Sequence, residues 1–179
     1  MYSGEMLSAP EYKSLASLDG AGFHGGYNHI VYQMVGQPLG VFYLPHSTGL
    51  ESDGNGGYTY GIADLNGGGV SLEDGEDRYV AGQAVPKTIL GSNISFRYKR
   101  FDLSLQINGA FGHKIYNGTS LTYMNMNIFP DYNVMKKAPK QNIKDQTATD
   151  YWLEKGDYVN FDYVTLGWNV PIEKVQKLK

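Results

Sequence analysis

Downstream of Pro86 the chain settles into a period of two. Ile94, Phe96 and Tyr98 alternate with Ser95, Arg97 and Lys99. After a tight turn near Lys99-Arg100, Phe101, Leu103, Leu105 and Ile107 alternate with Asp102, Ser104, Gln106 and Asn108. Two alternating runs joined by almost no loop predict a β-hairpin. Each arm approaches the roughly 9–11 residues that a tilted strand needs to cross a bilayer. A soluble sandwich alternates as well, with one face packed and one wet, so the pattern alone leaves the setting open. A further strand is expected over 158–171, where Val164, Leu166, Trp168 and Val170 share one face and Thr165, Gly167 and Asn169 the other.

The pattern elsewhere is weaker. Residues 1–26 read as a loop with one short helix. Ser8-Ala-Pro-Glu11 has capping-box spacing, and a helix from there to about Leu18 would bury Tyr12, Leu15 and Leu18. Residues 27–111 hold the strands, beginning with candidates at Tyr27–Val35 and Gln37–Leu44. Between Pro45 and Asp77 turn chemistry dominates, with one short strand expected at Tyr58–Ile62. Residues 112–157 read as one long loop rich in Asn, Tyr, Met, Lys and Asp. A connection of that length is unusual inside a compact soluble domain. Barrels of the outer membrane, by contrast, alternate short turns with long loops.

Composition sharpens this picture. Among 179 residues there are 23 glycines and 15 tyrosines, which suits strands, tight turns and aromatic belts better than a helical bundle. The net charge of −3 comes without a concentrated basic stripe, which argues against a nucleic-acid partner. Cysteine is absent, so disulfides, thiolate metal sites and cysteine nucleophiles are excluded. The N-terminus lacks a basic region followed by an apolar run, so no signal peptide is expected in it. No stretch reaches the roughly 20 apolar residues of a spanning helix.

Catalytic chemistry finds little foothold. His24, His29, His46 and His113 are isolated, without the i, i+4 spacing of a zinc pair. No G-x-S-x-G elbow occurs, and Asp53–Tyr58 is a glycine turn without the lysine of a phosphate loop. Adjacent Glu73 and Asp74 cannot be read as a glycosidase couple, because the separation of two carboxyls across a sugar is not defined there. The chain is expected not to be an enzyme. One stretch invites a metal: Ala63–Arg78 carries Asp64, Asn66, Glu73, Asp74 and Asp77, the candidate ligands should calcium bind. Counted from Asp64, the twelfth position of an EF-type loop is Gly75 and not the required bidentate carboxylate. The plainer reading is a glycine-rich turn whose acids are solvated or bond nearby backbone N–H groups. No cofactor is expected.

Three stretches taken in order carry a family resemblance: "VGQPLGVFY" (Val35–Tyr43), "DLNGGGV…EDR…GQAVPK…ISFRYKRFDLSLQINGAFGHKIYN" (Asp64–Asn117) and "ATDYWLEKGDYVNFDYVTLGWNVP" (Ala148–Pro171). Together they resemble the C-terminal barrel region of SusC/RagA-type, TonB-linked outer-membrane transporters of Bacteroidetes. The resemblance covers most of residues 27–171. It implies an all-β fold: antiparallel strands of a plugged barrel of about 22 strands, with long extracellular loops, in the outer membrane at the cell surface. It implies a SusD-like lipoprotein partner over the outer mouth, an oligosaccharide or peptide substrate, outer-membrane lipid around the wall, and energy from TonB through parts absent here. Plug, TonB box, early strands and closing strands are not found in the sequence, so the chain is expected to be an internal fragment of the transporter's C-terminal third, with more to follow Lys179, or a truncated relative. Family members commonly carry D-x-N-x-D-G where this chain has Asp64-Leu65-Asn66-Gly67-Gly68-Gly69, which places Gly68 at a ligand position.

Under this resemblance Tyr98, Phe101, Phe111, Tyr116, Tyr158, Phe161, Tyr163 and Trp168 are expected mostly in interfacial girdles. Tyr123, Phe129, Tyr132, Tyr151 and Trp152, in the long loop, are the candidates for contact with substrate or lid. Two rivals accompany this reading. One is a soluble, β-rich cell-surface module that binds carbohydrate and calcium without transport; the other is a degraded gene product without transport activity. Strands cut from a barrel have unpaired edges and an uncovered apolar face, so a repacked sheet is the expected alternative for an isolated piece.

Overall fold

The computed structural model describes residues 12–17 (backbone only), 29–34, 36–72 and 76–171. The chain divides into two compact units: residues 1–85 with 113–155, and residues 86–112 with 156–179.

The first unit is built on an antiparallel sheet of four strands: β1 (Tyr12–Ser17), β2 (His29–Met34), β3 (Val41–Pro45) and β6 (Arg78–Gln83), in that order. The short helix expected up to Leu18 is therefore not formed over 12–17; the segment instead pairs with β2, Tyr12 opposite Met34. A ladder with a neighbouring strand satisfies the backbone groups that a helix would have satisfied internally, and a four-residue cap signal does not outweigh it. The residues of that signal, 8–11, lie outside the described residues. The turn-rich stretch after Pro45 contains β4 (Ser47–Ser52) as well as the expected β5 (Tyr58–Ile62), paired antiparallel.

Residues 112–157 are shorter on loop than expected. They carry β9 (Lys114–Tyr116), α1 (Gly118–Tyr123), α2 (Ala138–Gln141) and β10 (Leu153–Lys155), plus two single 3₁₀ turns. Polar side chains that looked like loop composition act as caps. Asn117 Oδ1 accepts the Ser120 N–H, Asn125 Oδ1 the Asn127 N–H, and the Thr149 hydroxyl the Tyr151 N–H. β9 and β10 pair with each other and close the segment at its base. Ile143 is fully buried and clamped by backbone: Tyr58 N–H donates to Asn142 C=O, Lys144 N–H to Tyr58 C=O, and Met126 N–H to Ile143 C=O. The core of this unit joins Ile30, Phe42, Leu44, Tyr60, Ala81, Leu121, Ile143 and Ala148. Strand residues and residues of the 113–155 segment thus bury one another's apolar surface.

The second unit is a three-stranded antiparallel sheet of β7 (Thr88–Tyr98), β8 (Phe101–Phe111) and β11 (Tyr158–Trp168), with β8 central. β7 and β8 form the expected hairpin, in unbroken register from Tyr98↔Phe101 to Thr88↔Phe111. Its turn places Lys99 in the left-handed region, φ 54°, the conformation a two-residue connection between twisted strands requires.

Candidate functional site

Register decides what each face of the second unit presents, because directly paired residues point the same way. On one face Tyr98, Phe101 and Trp168 form a row, followed by Phe96, Leu103 and Leu166, then Ile94, Leu105 and Val164. A bulge between Phe161 and Tyr163 shifts β11 by one residue, which keeps Phe161 beside Ile107 and Val159 beside Gly109 on that same face. The result is an apolar surface three strands wide. Leu166 is 73% exposed, Phe161 61% and Phe96 60%. Phe101 and Trp168 stack at a centroid distance of 6.2 Å, at the turn end.

The opposite face is polar and bonded to itself. Arg97 Nε donates to Asp102 at 2.8 Å, Asn93 Nδ2 donates to the Tyr163 hydroxyl at 3.0 Å, and Asn108 Nδ2 donates to Asp162 at 2.6 Å. Ser95, Ser104 and Thr165 align between them, and Gly167 lies where a Cβ would meet the Asp102 carboxylate. The end row, Ile89, Ala110 and Tyr158, and the ring of Tyr163 bring apolar groups to this face. Each strand has 11 residues, the length that crosses a bilayer when tilted.

In the first unit the 113–155 segment is held by a node that the sequence reading did not find. One Asp150 oxygen accepts both the Tyr79 hydroxyl at 2.6 Å and a hydrogen bond from His46 Nδ1 at 2.7 Å. The other accepts the Ser47 N–H at 2.6 Å. Burial would raise the Asp150 pKa, but the hydrogen bonds from Tyr79, Ser47 and His46 outweigh it and hold the carboxyl below its ordinary value. Tyr79 is pushed up to about 12, by burial first and then by its bond to Asp150. Nearby residues in the sequence give no hint of this node, since 104 positions separate His46 from Asp150.

The candidate substrate residues divide. Trp152 packs against the core and its Nε1–H donates to the Tyr60 hydroxyl at 2.7 Å, which gives it a structural duty. Burial, the first cause, pushes Tyr60 up to about 12. Tyr151 leans on Tyr60 and Trp152, with ring centroids 5.3 and 4.9 Å away, and keeps one side exposed. Tyr123, Phe129 and Tyr132 are exposed. Tyr116, expected in a girdle, instead packs against the core of the first unit, because β9 folds into that unit.

The acidic loop is organised by its backbone. Asp77 is buried, and its carboxylate accepts the N–H groups of Leu65 and Ser71 at 2.7 Å each, with a longer bond from Asn66. These bonds, Ser71 first, hold its pKa below the ordinary value. Asp64 accepts from Gly67 and Gly69, and Asn66 Oδ1 accepts from Gly68. The oxygens of Asp64, Asn66 and Asp77 thus accept amide hydrogens of their own loop. Glu73 and Asp74 lie outside the described residues. Among the described residues no three His, Cys, Asp or Glu side chains are grouped to hold a metal.

No protein-family model matches the chain. Two curated proteins of Formosa agariphila are similar to it. TonB-dependent receptor P3 is 28% identical over 76% of this chain, and TonB-dependent receptor P26 is 27% identical over 63%. The chain spans 16% of the length of the first and 12% of the second. The family resemblance read from the motifs is thereby supported at the level of TonB-dependent receptors, and the all-β, antiparallel fold class agrees with the structure.

Proposed function

We propose that this chain, similar to a segment of TonB-dependent receptors, supplies wall strands and surface loops of a TonB-dependent transporter in the outer membrane. The observation that carries the reading is the two-sidedness of the β11-β8-β7 sheet. Burying an aliphatic or aromatic side chain contributes about 1.5–3 kcal/mol, so exposing three rows of them to water would be strongly unfavourable. Hydrocarbon on that side removes the difficulty, while the hydrogen-bonded polar face suits a hydrated lumen. A soluble carbohydrate or calcium module would have to cover the same rows with a core, and the exposure of Phe96, Phe161 and Leu166 favours lipid instead.

In this reading the first unit is surface-loop material. The 113–155 segment is the connection from β8 to β11, a long link between adjacent strands of the kind that faces the outside. The finer parts of the proposal follow the family resemblance: energy from TonB, a SusD-like lipoprotein as lid, and an oligosaccharide or peptide as cargo. Transport, not catalysis, is the activity. Tyr123, Phe129, Tyr132 and the open side of Tyr151 are our candidates for contact with cargo or lid, supported by their exposure; Trp152 packs against the Tyr151 ring.

The experiment compares arginine on the two faces of β11. Val164→Arg puts a charge on the proposed lipid face midway along β11 and should cost about 2–4 kcal/mol near the bilayer midplane, while Thr165→Arg enters the polar face. Heat-modifiable migration and protease protection in outer-membrane fractions read the outcome. Assembly lost by the first variant and kept by the second supports the wall; equal behaviour of the two contradicts it.

A further inference from the structure

We infer that the Asn55–Gly56 peptide, at the tip of the β4–β5 hairpin, is a self-modification site. Its asparagine deamidates through a cyclic imide, with water as the only co-reactant, and the product loosens the hairpin tip from residue 142. Nothing in this chemistry depends on the transport reading.

Four asparagines of the chain precede a glycine: Asn55, Asn66, Asn108 and Asn117. Glycine at the following position offers its amide nitrogen to the asparagine side chain with no Cβ in the way. Ring closure needs that nitrogen free to attack and the side-chain amide free to turn toward it. At three of the four pairs the fold withholds one or both. The Gly67 N–H donates to Asp64 at 2.6 Å, and Asn66 Oδ1 accepts the Gly68 N–H at 2.8 Å. Asn108 and Gly109 lie in β8, where ladders on both sides hold the backbone extended, and Asn108 Nδ2 donates to Asp162. Asn117 caps α1: its Oδ1 accepts the Ser120 N–H at 2.9 Å, and its Nδ2 donates to Glu154 at 2.7 Å.

Asn55 is held far less. It and Gly56 are both exposed, and among the described residues the Gly56 N–H has no hydrogen-bond partner. The Asn55 side chain keeps one long bond, Nδ2 to the Asp53 C=O at 3.5 Å. Gly56 has φ 78° and open space where a Cβ would stand. The neighbouring Asp53–Gly54 pair does not compete. The Asp53 carboxylate accepts the Asn55 and Gly57 N–H groups at 2.7 Å each, and these bonds hold its pKa below the ordinary value. An ionised carboxylate resists attack by a nucleophile.

The step balances without an oxidant or reductant. Hydroxide takes the Gly56 amide proton, and the nitrogen attacks Asn55 Cγ. The Cγ–Nδ2 bond breaks, and the amino group takes a proton from water and leaves as ammonia, which returns the hydroxide. Water then opens the imide. Addition at Cγ restores the ordinary chain with aspartate at position 55; addition at the main-chain carbonyl leaves isoaspartate, with one extra carbon in the backbone. That carbon enters beside Gly56, whose C=O accepts Asn142 Nδ2 at 2.5 Å. Tyr58 N–H donates to Asn142 C=O at 3.0 Å and Lys144 N–H to Tyr58 C=O at 2.8 Å, so the same turn governs how the hairpin meets residues 142–144.

The test holds the full chain in detergent micelles at mildly alkaline pH, in water labelled with heavy oxygen. Digestion and mass spectrometry follow all four pairs with time. Position 55 is expected to convert at least about tenfold faster than any other pair, taking up heavy oxygen and yielding isoaspartate with aspartate. In concentrated guanidinium the four pairs should react at similar rates, because the distinction belongs to the fold. Hydrogen exchange at Tyr58 and Lys144 should quicken in the aged chain and stay slow in an equally aged Asn55→Gln chain, whose longer side chain disfavours the ring. No conversion at 55, equal conversion at another pair of the native chain, the same preference for 55 in guanidinium, or unchanged exchange in the converted chain overturns the proposal.

Discussion

Nδ1 of His46 lies 2.7 Å from a carboxylate oxygen of Asp150, although 104 positions separate the two in sequence. The contact ties the start of β4 to the far end of the 113–155 segment, and Tyr79 of β6 reaches the same carboxylate. One side chain therefore fastens three parts of the first unit. Asp150→Ala removes the acceptor of part-buried Tyr79 and Ser47 and of exposed His46, and should loosen that fastening by about 1 kcal/mol. Hydrogen exchange at 143–155 is expected to quicken while exchange in β7 and β8 is unchanged. Equal protection in both proteins would show that the node holds nothing.

The pH dependence of that node has a definite sign. Asp150 is held below the ordinary carboxylate value of 3.8, so its contribution is fully present above that value. It is lost as pH falls through the lowered one. At the other end Tyr60 and Tyr79 are raised from 10.0 to about 12. Their contribution is complete below pH 10 and disappears as pH rises from 10 toward about 12. Tyrosinate absorbance should show a late-titrating class that Tyr60→Phe with Tyr79→Phe diminishes, the remainder belonging to Tyr116, which burial also raises. A single titration near the ordinary tyrosine value would contradict the burial assigned to them.

Asp77 makes the acidic loop self-sufficient. Asp77→Asn leaves one carbonyl oxygen where Leu65 and Ser71 each now have an acceptor, so proteolysis within 63–77 is expected to accelerate. Calcium at millimolar concentration should leave the melting temperature of the wild-type chain unchanged. A rise of several degrees that Asp64→Ala abolishes would instead establish an ion in the loop.

Trp152 donates to Tyr60 at 2.7 Å in the part-buried interior of the first unit. Trp152→Phe is expected to destabilise that unit, chiefly through lost packing, by about 1–3 kcal/mol. Saccharide binding by the folded variant should persist. Loss of binding without loss of stability would restore Trp152 as a substrate contact.

How far the sequence could be read depends on the range of the interactions involved. The β7–β8 hairpin was legible around its turn, from Ile94 to Asn108, because alternation and a two-residue turn are local and strict; its outer ends, back to Thr88 and on to Phe111, were not. β11 was legible for the same reason, but the bulge at Asp162 was not. It shows only when Phe161 and Val164, three apart, are found on one face. The 12–17 strand was misread as a helix because its partner, β2, lies beyond a glycine-rich stretch and leaves no mark on the local pattern. The 112–157 segment looked like loop since its asparagines and threonines are the residues of caps as well as of coils. Asp150 was passed over entirely: its partners come from β3–β4 and β6, and no spacing rule connects them. Among the candidate site residues, exposure separates Phe129 and Tyr132 from Trp152, a distinction that composition cannot make.

The central claim is that the apolar face of β11-β8-β7 meets hydrocarbon. Because the chain contains no cysteine, single cysteines can be placed at each position from 101 to 108 and spin-labelled in bilayers. Labels at 101, 103, 105 and 107 are expected to collide with lipid-dissolved oxygen. Those at 102, 104, 106 and 108 should collide with a water-soluble nickel complex. Protection of the odd-numbered positions from both reagents would place them inside a protein core and contradict the account.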